Sequence, residues 1–331
     1  MPIYQQIELS GGVLEGWRER NKASVQARRI SKASMLYGPR NALYERALQS
    51  HRRHAQKWGY GMEVLQNEIV TGYWNKPSYL LALVIRELSR PVNERVEWLM
   101  WVDADSIIIN PLIPLELFLP PSTLKGIHMV ASKDHKGLNT GIFFLRVHEW
   151  SVRFLIETLA YPIYNPRVDL DEQVDQNAMA KVLNQSSYRE GVTYLPRTWI
   201  NTYEWAHAYE GGRGNMLVHF PGLGEKRWKH MEAWLDVVEK GVGGWEVPVH
   251  ETWYVEEGRR FWERIQEARR VLGAYEKMKE AREKQRTDQP GRESEIDRIA
   301  GELRRLLYEE PFEGEALQQR IEEWKRQSAS A

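Results

Sequence analysis

Between Arg29 and about Glu239, short apolar runs alternate with helical patterns, and this alternation confines the chain to a parallel α/β sheet. Ile30 to Tyr37 reads as a strand that stops at Gly38-Pro39, and Asn41 to Trp58 as a helix with Leu43, Ala47, Leu48 and Ala55 on its apolar side. Met62 to Val70 is expected to be a second strand. Pro77 suits the first turn of the next helix, which runs through Leu80, Leu81, Val84, Ile85 and Leu88 until Pro91. Glu97 to Val102 is a near-continuous apolar run, as a strand covered on both faces requires. Open α/β sheets bind ligands beyond the carboxyl ends of their strands, which is where Asp103 and Asp105 fall.

The flanks read differently. Residues 1–28 are polar and weakly patterned, an arm or short helix, and 29–250 form the main α/β domain. From 251 to 331 Phe261, Ile265, Ala268, Leu272, Tyr275 and Met278 recur at helical spacing among many Glu, Lys and Arg. The segment Thr287-Asp288-Gln289-Pro290-Gly291 breaks that pattern. Ile296, Ile299, Leu303 and Leu306 resume it, and Leu317, Ile321 and Trp324 suggest a last short helix. The expected result is a charged helical appendage packed on the main domain, offering a surface for a protein partner or a second copy of the chain.

Composition excludes several classes of function. Lys+Arg and Asp+Glu are both 46, and a net charge of zero argues against a nucleic-acid grip. The chain has no cysteine, so disulfides, thiolate metal sites and a cysteine nucleophile are out. Tyr79 to Ile85 and Trp98 to Val102 are too short to cross a membrane, and the opening MPIYQQIELSGG lacks a secretory pattern, so the chain as given reads as soluble. Its 14 tryptophans offer flat faces suited to sugar rings as well as to core packing.

Four stretches carry candidate chemistry. In WLMWVDADSIIINP, two carboxylates one residue apart just past a buried strand can converge on a hard cation such as Mg²⁺ or Mn²⁺, which in turn neutralises phosphate charge. They can equally do no more than end a strand and open a turn. His219, in LVHFPG, is a third potential ligand, although a lone histidine among apolar neighbours is more often a hydrogen-bonded core residue. GLNTGIFFLRVHEW places Asn139, Thr140 and Gly141 in a polar turn feeding a strand, where Gly141 permits close backbone approach. DLDEQVDQNAMAKVL opens a helix whose Asp175 and Gln176 either serve the helix start or point into a pocket.

Taken in order, Trp74-Asn75-Lys76-Pro77, WVDADSIIINP, LNTGIFFLR, DQNAMA and LVHFPG resemble glycosyltransferase family 34 from about Arg29 to Asp236. The wording of the blocks is nearer the fungal α-galactosyl- and α-mannosyltransferases than the plant xyloglucan xylosyltransferases. The resemblance implies a Rossmann-like GT-A fold and a UDP- or GDP-sugar donor. It also implies Mn²⁺, with Mg²⁺ as the alternative, a glycan or glycoprotein acceptor, and retention of anomeric configuration in a Golgi enzyme. It assigns Asp103, Asp105 and His219 to the metal and diphosphate, Lys76 to the donor diphosphate as a cation, and the backbone of Ala104 to the nucleoside side. Asn139, Thr140 and Gly141 fall to the sugar pocket, and Asp175 and Gln176 to the neighbourhood of the anomeric carbon. The family's amino-terminal membrane anchor is not seen. A Gly-Cys-x-x-Cys-type stretch of the plant members is replaced by Pro221 to Arg227, so Gly222, with Lys226 or Arg227, is assigned to the phosphates there. Two other classes stay open: a nucleotidyltransferase or hydrolase using the same carboxylates, and a non-catalytic scaffold subunit of a glycosylation complex.

Overall fold

The computed structural model describes residues 29–284 and 295–329. The expected arm, 1–28, and the break at Thr287 to Gly291 lie outside the described residues. A six-stranded sheet has the order β2-β1-β3-β6-β5-β7, built from β1 (Ile30–Met35), β2 (Gly61–Leu65), β3 (Trp98–Val102), β5 (Met129–Asp134), β6 (Gly137–Arg146) and β7 (Val192–Tyr194). Strand β1 is parallel to β2 and β3, and β5 to β7, whereas β6 runs antiparallel between β3 and β5. A two-stranded ribbon pairs β4 (Ser106–Ile108) with β8 (Leu217–His219).

Helix α1 (Ala42–Trp58) crosses from β1 to β2. It starts where the Asn41 side chain accepts from the amides of Leu43 and Tyr44, and it ends at Gly59, whose φ of 74° is a left-handed cap. Helix α2 (Asn75–Leu88) crosses from β2 to β3 with Leu80, Leu83 and Val84 buried. The second strand is shorter than its apolar pattern predicts. Beyond Leu65 the backbone leaves the sheet, because the buried Asn75 side chain accepts from the amides of Ile69 and Val70 and so satisfies them off the ladder. After β6 come α3 (Glu149–Tyr164) and α4 (Val174–Leu183). Short turns α5 (Ser186–Arg189) and α6 (Arg197–Ile200) flank β7, and α7 (Arg227–Lys240) follows β8.

Three helices close the chain: α8 (Tyr254–Lys284), α9 (Glu295–Glu309) and α10 (Gly314–Ala329). Their apolar stripes, with Ile265, Ala268, Leu272, Ile299, Leu303, Leu317 and Ile321 buried, join one core with Trp98, Met100 and Phe144 of the sheet. The opposite face is covered by Leu80, Phe154, Met179 and Val182 from α2, α3 and α4. The α/β class and the C-terminal helical region are as expected, but the sheet is mixed and not parallel, because β6 runs antiparallel between β3 and β5. Among the described residues, no helix is long and apolar enough to cross a membrane.

Candidate metal centre

The site begins where β3 ends. Strand β3 is buried at all five positions, so the chain must leave the sheet before it can carry carboxylates, and it does so at Asp103. The Asp103 amide donates to Gly141 O (2.8 Å), and Ala104 and Asp105 then turn the chain into β4. Because β6 is antiparallel, its beginning lies at this carboxyl edge. Asn139, Thr140 and Gly141 are therefore residues of β6, with Asn139 opposite Ser132 of β5, and not the polar turn that their composition suggests.

The ribbon supplies the third group. His219 pairs with Ser106, and the Phe220 amide donates to Asp105 O (3.0 Å), so the imidazole arrives beside the Asp-Ala-Asp turn. His219 Nε2 lies 3.3 Å from Asp105 Oδ1. One ligand atom each from Asp103, Asp105 and His219 lies within 4.8 Å of the others, a grouping that could hold a metal ion. Gly141 makes this approach possible. A Cβ there would sit 2.4 Å from His219 Cε1, so a side chain at this position and the imidazole exclude each other.

The surroundings orient these groups. His219 Nδ1 meets Asn201 Oδ1 at 2.7 Å, while Asn201 Nδ2 donates to Asn139 Oδ1 (2.8 Å) and Ser132 Oγ (3.2 Å). With its amide nitrogen committed to those acceptors, Asn201 offers its oxygen to an Nδ1–H, which leaves Nε2 as the nitrogen that could ligate a metal. Trp101 Nε1 donates to Asp103 Oδ1 (2.7 Å). Arg227 donates to Asp105 Oδ2 (2.9 Å) and to the Tyr44 hydroxyl (3.1 Å).

Lys76 is a buried hub. Its Nζ donates to Thr140 O (3.0 Å) and lies 3.2 Å from Asp103 Oδ1 and 3.5 Å from Asp175 Oδ2. Asp175 is itself buried, and its Oδ2 has no hydrogen-bond partner. Gln176 accepts from the Thr140 amide (2.8 Å), which fixes the start of α4 against β6. Burial pushes the Asp103 carboxyl above its ordinary range, with Lys76 opposing and Asp105 adding to it. Burial acts the same way on Asp105, but His219 and Arg227 outweigh it and hold that carboxyl below its usual range. Burial lowers Lys76, yet Asp103 and Asp175 together raise it, so it stays a cation.

The residues singled out in the sequence thus converge, except at one end. Lys226 is exposed at the start of α7, and Gly222 is exposed in the preceding turn with φ 69°. It is Arg227 that reaches Asp105. Trp101 and Asn201 carry no sequence signal for their roles. Behind the turn a further buried chain runs from Lys32 Nζ to His51 Nδ1 (3.2 Å) and from His51 Nε2 to Ser106 Oγ (3.0 Å), and Ser106 Oγ donates to Asp103 O (2.7 Å). A lysine inside the otherwise buried strand ISKASM is the one hint of it in the sequence.

Comparison with known proteins bears on this arrangement. The model of the galactosyl transferase GMA12/MNN10 family matches residues 122–228, a segment that includes Asn139, Asp175 and His219 and follows Asp103 and Asp105. A probable glycosyltransferase 3 of Oryza sativa subsp. japonica is 26% identical over 201 residues, covering 54% of this chain and 41% of that protein. Xyloglucan 6-xylosyltransferase 4 of Arabidopsis thaliana is 27% identical over 204 residues, covering 54% of this chain and 37% of that protein. The chain thus spans about two fifths of the length of these curated relatives. A solved glycosyltransferase involved in glycosylation of the major capsid of PBCV-1 aligns with a TM-score of 0.49 and 15% identity over 62% of this chain and 99% of that one.

Proposed function

From its similarity to glycosyltransferase family 34, we propose that this chain is a retaining, Mn²⁺-dependent glycosyltransferase that moves a hexose from a nucleotide sugar to a glycan or glycoprotein acceptor. The observation that carries the reading is the convergence of Asp103, Asp105 and His219. Two carboxylates and one imidazole suit Mn²⁺, and Mg²⁺ less well because of the nitrogen. Asp105 Oδ1 and the ligating nitrogen of His219 face each other at 3.3 Å, an arrangement that a shared cation would satisfy.

When bound, the ion would neutralise charge on the departing diphosphate. Arg227 stands beside Asp105 as the second cation for those phosphates, with Ala104 offering its backbone to the nucleoside. Lys76, already engaged by Asp103 and Asp175, is read as the group that holds both carboxylates in position. Asp175 and Gln176 are assigned to the reacting sugar, Asp175 as the carboxylate that orients or stabilises the anomeric carbon. A galactosyl or mannosyl donor is preferred on the wording of the sequence blocks. The xyloglucan xylosyltransferase among the relatives supports xylose as the second reading. Residence in the Golgi belongs to the same proposal.

Calorimetric titration of UDP and GDP sugars with and without Mn²⁺ tests it. Wild-type protein should bind one nucleotide class only with the ion present, and Asp105→Asn should abolish that binding without unfolding the protein. Wild-type donor affinity in the variant would remove Asp105 from the metal, and no Mn²⁺-dependent nucleotide binding at all would leave a scaffold protein.

A further inference from the structure

A cleft of about 740 Å³ opens between the α/β domain and the closing helices, away from the carboxylates. Its walls come from α6, from the stretch around Glu210 to Asn215, from α8, and from the turn into α10. Much of it is thus built from a part of the chain beyond the family segment, which ends at residue 228.

Two features of its lining point to one ligand chemistry. The first is aromatic. Trp253 is 36% exposed, an unusual cost for an indole, and leans on the buried Trp199 with ring centroids 5.3 Å apart, while the half-buried Phe312 lies on the same lining. The second is a polar rim of mixed sign. Arg264 has a buried Nε without a hydrogen-bond partner, and its guanidinium lies across Gly314, where a Cβ would come within 2.7 Å of Nη2. Glu315 stands exposed on the next residue, while Glu257 and Glu210 on the lining are already paired, with Arg260 and with Arg197.

An apolar ligand would leave the Arg264 Nε–H unsatisfied and would strip water from Glu315. A phosphate-rich ligand would find no positive excess, since Glu210, Glu257 and Glu315 stand against Arg260 and Arg264 on the lining. A neutral pyranose satisfies both features, since its C–H face stacks on an indole and its hydroxyls both accept from a guanidinium and donate to carboxylates. The volume is that of a site for a small oligosaccharide segment.

We propose that this cleft is a second saccharide site, which binds a stretch of a neutral glycan chain; calling that glycan the acceptor rests on the transferase reading. The two sites share a wall. Asn215 Nδ2 donates to Thr198 O (2.7 Å), Thr202 Oγ1 donates to the same carbonyl (2.9 Å), and Thr202 O in turn accepts from the His219 amide (2.8 Å). A glycan anchored in the cleft is therefore held one residue layer from the metal ligand.

The test titrates the full chain with neutral hexasaccharides of glucose, galactose, mannose and xylose, following tryptophan fluorescence and heat. At least one should bind, and Trp253→Ala should weaken it by at least about tenfold, as loss of an aromatic anchor does. Because Trp253 also packs on Trp199, Glu315→Gln, a change at an exposed position, is the companion variant and should weaken the same sugar. Mn²⁺-dependent nucleotide binding should stay at the wild-type level in both variants. Failure of every hexasaccharide to bind, or binding that neither variant weakens, overturns the site. Loss of nucleotide binding in the wild type with sugar binding intact would instead sink the transferase reading and leave the cleft standing.

Discussion

Replacing Gly141 with alanine would drive a methyl group into the imidazole of His219. The new Cβ would lie 2.4 Å from His219 Cε1, and 3.1 Å from both His219 Nε2 and Asn139 Oδ1. An ordinary carbon–carbon contact needs about 3.5 Å, so the ring or the strand must yield by roughly 1 Å. The ring has little freedom, since Asn201 holds Nδ1 at 2.7 Å and Tyr203 packs edge-on at 5.6 Å. Gly141 does not have a positive φ, so alanine is acceptable to the backbone and the effect isolates the steric clash. Overpacking of this kind costs about 1–3 kcal/mol in denaturant unfolding. Displacing a ligand nitrogen by more than about 0.2 Å spoils coordination, and Mn²⁺ affinity should fall by roughly 10–100-fold in calorimetry. A double-mutant cycle separates the causes. In a His219→Ala background the clash partner is gone, and Gly141→Ala should be neutral or should stabilise by about 0.5–1 kcal/mol, as glycine replacement inside a strand does. An equal penalty in both backgrounds, with Mn²⁺ affinity intact in the single variant, would refute the idea that the glycine exists to admit the imidazole.

Three further outcomes follow from the same geometry. Lys76→Met strands the buried Asp175 and the partly exposed Asp103, and should cost about 3 kcal/mol, the low end for breaking a buried ion pair, with part of the loss restored by Mn²⁺ in a thermal-shift assay. Unfolding at wild-type urea concentration would show that the pair contributes nothing. Asn201→Ala frees His219 Nδ1 and should lower Mn²⁺ affinity by roughly tenfold or more with the fold kept; unchanged affinity would mean that the imidazole is held by packing alone. His128, stacked on His148 and Trp150, is pushed by burial, and next by the His148 charge, from 6.5 down to about 3. The unfolded chain thus binds the extra proton. This contribution is complete above pH 6.5 and is lost as the pH falls toward 3. Because the ring is only half buried, roughly 1 kcal/mol should go by about pH 5. His128→Gln should flatten that part of the stability profile, and an unaltered profile would exclude the residue.

Much of the sheet was readable because its signals are local. WLMWV can only be a strand covered on both faces, and the carboxylates after it could only lie at the sheet's edge. The stripes through Ile265, Leu303 and Ile321 likewise marked helices that proved to be core. Most of the errors share one cause, which is polar groups satisfied by partners outside their own stretch of chain. Asn139 and Thr140 look like turn residues until Asn201, Gln176 and Lys76 are brought to them. Gln66 to Val70 looks like strand until Asn75 takes its amides. Lys76, expected at the donor diphosphate, lies buried between two carboxylates that its own stretch of sequence does not reveal. The choice between Lys226 and Arg227 depends on which of two adjacent residues faces Asp105 as α7 begins, a matter of helix phase that composition does not carry.

The ribbon of β4 and β8 has a consequence for the order in which this molecule comes together. The ion pair between Asp105 and Arg227 spans 122 positions of chain, and the His219 arm is nearly as remote. Closing so long a loop is entropically slow and is rewarded only after the strands between have docked. Asp103 and Asp105 come well before their partners in the chain, and the proposed centre can form only once β8 is in place. A chain halted before residue 219 would hold all six strands of the main sheet and lack the third proposed ligand, so on the proposed reading ion capture would report on folding of the whole α/β unit and not of its first half.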